Sequence, residues 1–121
     1  MTASTTPSPR VGDNVSGFLY VQKVSNRIYS VSLDLSILIS KIRSASATVN
    51  FGDGTVENKS ADPSTLPSSY ATINYTNHYY APGEYTLWVS DYTVVVNDAD
   101  NPQSGIETWL ICGSYPFTAE D

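Results

Sequence analysis

The sequence predicts an all-β, antiparallel fold, and three observations carry that prediction. From Tyr29 to Ile39 apolar residues fall on every second position (Tyr29, Val31, Leu33, Leu35, Ile37, Ile39), while Ser30, Ser32, Asp34, Ser36 and Ser40 supply polar positions. That is the period of a strand with one face in a core. Asp53-Gly54 separates two further alternating stretches, Thr48-Val49-Asn50-Phe51 and Thr55-Val56-Glu57, which is the pattern of a hairpin whose two-residue turn needs positive φ. Composition agrees: nine Tyr, seven Gly and seven Pro, with Ser and Thr abundant, favour strands and turns over helices.

In chain order, residues 1–12 are Thr-, Ser- and Pro-rich with almost no apolar content, and read as a flexible arm ordered only by a partner. The folded unit is expected over residues 13–113. A first strand runs from Phe18 to Val24, with Ser25-Asn26 as the turn into the second. The long alternation from Tyr29 is read as one bent strand, or two strands parting near Asp34. A helical turn from Ile37 to Ile42 is the alternative, because Ile37, Leu38, Ile39 and Ile42 crowd the period. Ala45 to Phe51 leads into the hairpin, and Ala61 to Ser69, with Pro63 and Pro67, is a surface loop. Further strands are expected at Tyr70 to Thr76, Tyr85 to Val89, Thr93 to Val96 after a Ser90-Asp91 turn, and Ile106 to Cys112. Asn97 to Gly105 is an acidic loop, and residues 114–121 a C-terminal tail. About eight strands at this spacing suit a sandwich or a barrel.

Two motifs narrow that choice. Phe51-Gly52-Asp53-Gly54-Thr55 and, further on, Tyr79-Tyr80-Ala81-Pro82-Gly83-Glu84-Tyr85-Thr86-Leu87 resemble the PKD family, whose hallmarks are a Trp-Asp-Phe-Gly-Asp-Gly-Ser/Thr hairpin and a His-x-Tyr-x-x-Pro-Gly-x-Tyr-Thr-Val corner. Val49 stands where that family has Trp, Asn50 replaces its first Asp, and Leu87 its Val. The family's His falls on Asn77, with His78 one place later. The resemblance implies an antiparallel immunoglobulin-like β-sandwich of about seven to nine strands. Phe51, Gly52, Asp53, Gly54, Tyr79, Pro82, Gly83 and Tyr85 would be its fold-determining residues. The core is expected to contain Phe51, Tyr79, Tyr85, Leu87, Val31, Leu33 and Leu35, with Gly83 at positive φ.

At 121 residues the chain is long enough to fold as one domain without staples. Its single cysteine, Cys112, excludes an internal disulfide and reads as a small buried hydrophobe. No stretch approaches the roughly 20 apolar residues that span a bilayer, and the start lacks a signal-peptide pattern. Asn14, Asn58 and Asn74 begin N-x-Ser/Thr acceptor sequences that chance explains in a Ser/Thr-rich chain. The net charge of −6 divides into +3 up to Arg43 and −9 from Ser44 onward. Such an acidic balance argues against phosphate-backbone binding, so nucleic acid is not an expected partner.

Catalytic constellations are missing from the sequence. A Ser-His-Asp arrangement has only His78 to use, and its place in the corner motif points to a structural hydrogen bond. One Cys and one His fall short of a zinc site. The oxygen-rich Asn97-Asp98-Ala99-Asp100-Asn101 run makes Asp98 and Asp100 weak candidates for a Ca²⁺ ligand set, although it lacks the spacing and bidentate Glu of an EF-hand. No cofactor is expected otherwise.

Aromatic side chains give the best functional lead. With Tyr85, Leu87 and Val89 inward, Trp88 points out, and Trp88, Tyr92, Trp109, Tyr115 and Phe117 are the candidate interface residues. Tyr115-Pro116-Phe117 could equally cover Trp88. The expected function is a non-catalytic structural or interaction module. Its best fit is a capsid-decoration or tail-associated virion protein that binds a protein partner or copies of itself. The alternative is a carbohydrate- or cell-surface-binding accessory module of an extracellular protein, where a surface glycan would be the ligand. The expected location is accordingly a virion or an extracellular surface.

Overall fold

The structure, a computed structural model, describes residues 14–97 and 103–120. Its strands are β1 (Val15–Ser25), β2 (Ile28–Ser36), β3 (Ile42–Asn50), β4 (Val56–Ser60), β5 (Tyr70–Asn74), β6 (His78–Tyr79), β7 (Gly83–Asn97), β8 (Gly105–Glu107), β9 (Leu110–Cys112) and β10 (Tyr115–Ala119). They build two sheets. The first has the order β5-β2-β1-β9 with β6 beside the start of β2; the second has the order β10-β7-β3-β4 with β8 beside the end of β7. All pairings are antiparallel except β1 with β9. The all-β sandwich expected from the sequence is therefore the observed architecture. The arm at residues 1–12 lies outside the described residues, and so does the Asp98/Asp100 candidate.

Alternation places the core between the sheets. Tyr29, Val31, Leu33 and Leu35 of β2 are buried and face Ala45, Ala47 and Val49 of β3 and Leu87 and Val89 of β7 in one continuous cluster. Ile37 keeps the period, but the expected run to Ile39 stops: β2 ends at Ser36, and neither a longer strand nor a helical turn follows. The chain instead crosses between sheets on anchored bends. The Ile37 N–H donates to the Ser69 carbonyl at 3.0 Å, the Ser40 hydroxyl donates to the Asn97 carbonyl at 2.7 Å, and Ile42 and Ser68 exchange backbone hydrogen bonds.

The expected Ser90-Asp91 turn is instead a bulge inside a single strand, β7. Thr48 pairs with Asp91 and Val49 with Val89, so Ser90 has no partner of its own. The extra residue changes the parity of the strand. Before it the odd residues Leu87 and Val89 are buried; after it the even residues Tyr92, Val94 and Val96 are. A broken period in sequence reads like a turn, but here it re-aims one long strand.

The hairpin also differs from its two-residue expectation. Asn50 pairs with Val56, and the Phe51 N–H donates to the Thr55 carbonyl at 2.9 Å. The residues at positive φ are Gly52 (87°) and Gly54 (96°), flanking Asp53. Gly52 is fixed twice over, because a Cβ there would lie 2.4 Å from the Thr86 carbonyl oxygen. Gly83 has the expected positive φ, 157°, at the extended border of that range.

The segment expected as a tail is a strand. β10 pairs with β7 from Tyr115 opposite Leu87 to Ala119 opposite Gly83. Alternation explains it: Tyr115, Phe117 and Ala119 turn inward, and Pro116 and Thr118 outward. The sandwich therefore runs from Val15 to Ala119, past the expected boundary at 113.

Candidate functional site

The corner motif builds a cluster of rings at one end of the sandwich. Phe51, buried behind the hairpin, stacks flat on His78 at a centroid distance of 4.3 Å and an angle of 7°. Tyr80 meets His78, Phe117 and Tyr29 edge-on, and Tyr85 packs obliquely on Tyr80. The expected core residue Tyr79 is 54% exposed, whereas Tyr80 is 1% exposed. In the two-residue strand β6 the side chains alternate, and it is Tyr80 that turns inward behind it. The buried Tyr80 and Tyr75 hydroxyls have backbone acceptors, the Phe51 carbonyl at 2.7 Å and the Ala47 carbonyl at 2.8 Å, and the more exposed Tyr85 hydroxyl donates to the Ala81 carbonyl at 2.7 Å. Burial pushes the phenols of Tyr75 and Tyr80 well above their ordinary range.

Two carboxylates clasp this end of the sandwich. Asp53 Oδ2 lies 2.7 Å from His78 Nε2, and Asp53 Oδ1 accepts from the Thr55 N–H at 3.0 Å. Glu57 accepts from the Thr76 N–H at 2.9 Å and from its hydroxyl at 2.7 Å. Partial burial opposes the ionisation of both acids, but these hydrogen bonds outweigh it and hold both below their ordinary range. His78 is thereby engaged on its edge by an acid and on its face by a ring. Cys112 is half-buried, and burial pushes its thiol up, which suits the reading of a small hydrophobe.

Of the five interface candidates, Tyr115 and Phe117 lie ring beside ring at 6.4 Å, and they do not share one face with Trp88. Tyr92 is a correction: the bulge turns it inward, where it is buried and its hydroxyl has no hydrogen-bond partner among the described residues. Phe117 and Tyr115 are half-buried on the inward face of β10, and Phe117 belongs to the ring cluster. Neither covers Trp88, which lies half-buried on the other face, opposite Asn50. Trp109 is half-buried before β9, and its carbonyl accepts the Val15 N–H. Among the described residues no cluster of His, Cys, Asp and Glu is placed to hold a metal ion.

The exposed apolar surface lies elsewhere. Leu38 is 97% and Ile39 76% exposed, side by side at the tip of the anchored crossing between β2 and β3. Phe18 and Tyr20, 58% and 53% exposed, stand on the outer face of β1, and Ile111 of β9 is also exposed. The signal for the tip was present: Leu38 occupies a position where the strand period calls for a polar residue. The signal for β1 was its apolar content on both parities, Phe18 and Tyr20 against Leu19 and Val21.

The arrangement defines a β-sandwich with a His-Asp clasp at one end and with exposed apolar side chains at the crossing between β2 and β3 and on the outer face of β1. No family model, curated protein or solved structure matches the chain. No helix among the described residues is long and apolar enough to cross a membrane.

Proposed function

We propose that this protein is a non-catalytic binding module of PKD-like, immunoglobulin-like type that docks on a repeated protein surface, the shell or tail of a virion being the best fit. The observation that carries this reading is the Leu38-Ile39 tip. Two large aliphatic side chains stand in solvent on a crossing held by backbone hydrogen bonds to Ser68 and Ser69 and by the Ser40 hydroxyl. An apolar tip whose flanking backbone is anchored loses less backbone freedom on insertion into an apolar socket than a free loop does, and large apolar groups at a surface mark interaction sites. Display in many copies multiplies weak contacts. The engagement of His78 by Asp53 and Phe51 supports a scaffold role for the residue that an esterase or glycosidase would otherwise need.

The test is co-sedimentation with the particles or cell envelopes of the source, comparing wild type with Leu38→Ser/Ile39→Ser. The double variant should keep its circular dichroism spectrum and melting temperature while recruitment falls about tenfold or more. Hydrolysis of a glycan or ester by the purified protein, abolished by His78→Ala, would overturn the reading.

A further inference from the structure

The sandwich has lateral edges at β5 and β9/β1 in the first sheet and at β10 and β4 in the second. Two of them are guarded against pairing. β4 carries Glu57 and Lys59, and β4 is tied to the end of β5 through Glu57 and Thr76. β10 carries Pro116, which has no N–H to offer. β1 is different. It is an eleven-residue strand, but β9 pairs with it only from Val15 to Gly17. From Phe18 onward, among the described residues, no strand continues the ladder on that side.

The direction of the backbone groups follows from three contacts. Val15 donates its N–H toward β9, Gln22 presents its carbonyl to Ser30 of β2, and Val31 of β2 presents its carbonyl to Tyr75, away from β1. Because both backbone groups of a residue in an antiparallel strand point to the same side and alternate along it, Leu19 and Val21 aim their N–H and C=O groups at the open edge. The side chains beside them match. Val21 is only half-buried against the core, and Phe18 and Tyr20 are exposed on the outer face.

We propose that this edge is a self-association surface, on which β1 of a second copy adds antiparallel across a two-fold axis near Tyr20, making one continuous sheet through both copies. The occupant is a strand because the open groups are backbone donors and acceptors in ladder spacing. It is a second copy because antiparallel pairing makes the segment complementary to itself: Leu19 faces the other copy's Val21 toward the cores, and the two Tyr20 rings face each other outside. Phe18 to Gln22 carries no charge, so no like charges oppose across the axis. Lys23, which ends the uncharged stretch, is drawn across to the Glu120 carbonyl at 3.2 Å. The inference extends the binding-module reading by naming one partner.

The test is the oligomeric state of the full chain by sedimentation equilibrium, with amide exchange at Leu19 and Val21. Wild type should approach twice its 13.1 kDa mass as concentration rises, with exchange at both amides slowing in parallel. Val21→Pro removes an edge-facing N–H together with part of the Val21 core contact, and Tyr20→Lys places like charges across the axis at an exposed position. Each should raise the dimer Kd about tenfold or more, and Tyr20→Lys should leave the monomer's melting temperature unchanged. A wild type monomeric at about 200 μM, a dimer indifferent to Tyr20→Lys, or amides protected in the monomer would each overturn the proposal. Dimerisation without recruitment would overturn the binding-module reading and leave this one standing; recruitment by a strict monomer would do the reverse.

Discussion

His78 meets Asp53 edge-on at 2.7 Å while its ring lies on Phe51 at 4.3 Å, so one side chain joins the hairpin tip of the second sheet to the β6 segment of the first. The His78–Asp53 contact is partly exposed and contributes modestly, whereas the stacked ring also covers the buried Phe51. His78→Ala should therefore cost about 1 to 2 kcal/mol, and Asp53→Asn less than about 1 kcal/mol. Equal losses in urea melts would show that the carboxylate, not the stack, carries the contact.

Acid should loosen the same end. Asp53 and Glu57 are held below their ordinary values of 3.8 and 4.5. A depressed acid adds stability that is complete above its unfolded-state pKa and is lost as pH falls through its folded-state pKa. Melting temperature should accordingly be insensitive to Asp53→Asn/Glu57→Gln in its pH slope above about pH 6 and fall less steeply than wild type below about pH 4. Identical acid limbs for the two proteins would remove these carboxylates from the account.

Gly52 and Gly54 separate backbone conformation from space. Both have positive φ, but a Cβ on Gly52 would meet the Thr86 backbone, whereas nothing lies within 4 Å of one on Gly54. Gly54→Ala should cost about 1 kcal/mol, and Gly52→Ala about 1 to 3 kcal/mol more. Equal costs would mean that the hairpin does not press on β7.

The contrast between Tyr79 and Tyr80 shows how far the sequence was legible. Alternation and turn residues marked most of the strands, and the Phe51 hairpin and Tyr85 corner were recognisable from spacing. What failed was parity across irregularities. The phase is set by β6 at Tyr79/Tyr80, by the bulge at Ser90 and by the crossing at Leu38-Ile39, and each depends on what a neighbouring strand pairs with. Trp88 stood out because Trp is large, but the sheet half-covers it; the apolar tip stood out less because Ile37 and Ile42 beside it are core. Phe51→Ala and Tyr79→Ala test the corrected phase, with about 3 to 5 kcal/mol expected for the first and under about 0.5 kcal/mol for the second.

Tyr92 offers the opposite kind of change, one that should stabilise. The Ser90 bulge turns its ring into the core opposite Ala47, where its hydroxyl is buried and makes no hydrogen bond with any described residue. Such a group loses its hydration on folding and regains nothing, a cost of about 1 to 3 kcal/mol. Tyr92→Phe keeps the ring and removes the stranded oxygen, so it should raise stability by about 1 kcal/mol without altering the slope of the urea transition. A loss of more than about 1 kcal/mol would instead require a polar partner for that hydroxyl. In that case the bulge would serve to deliver Tyr92 to a contact rather than merely to restore the apolar phase of Val94 and Val96.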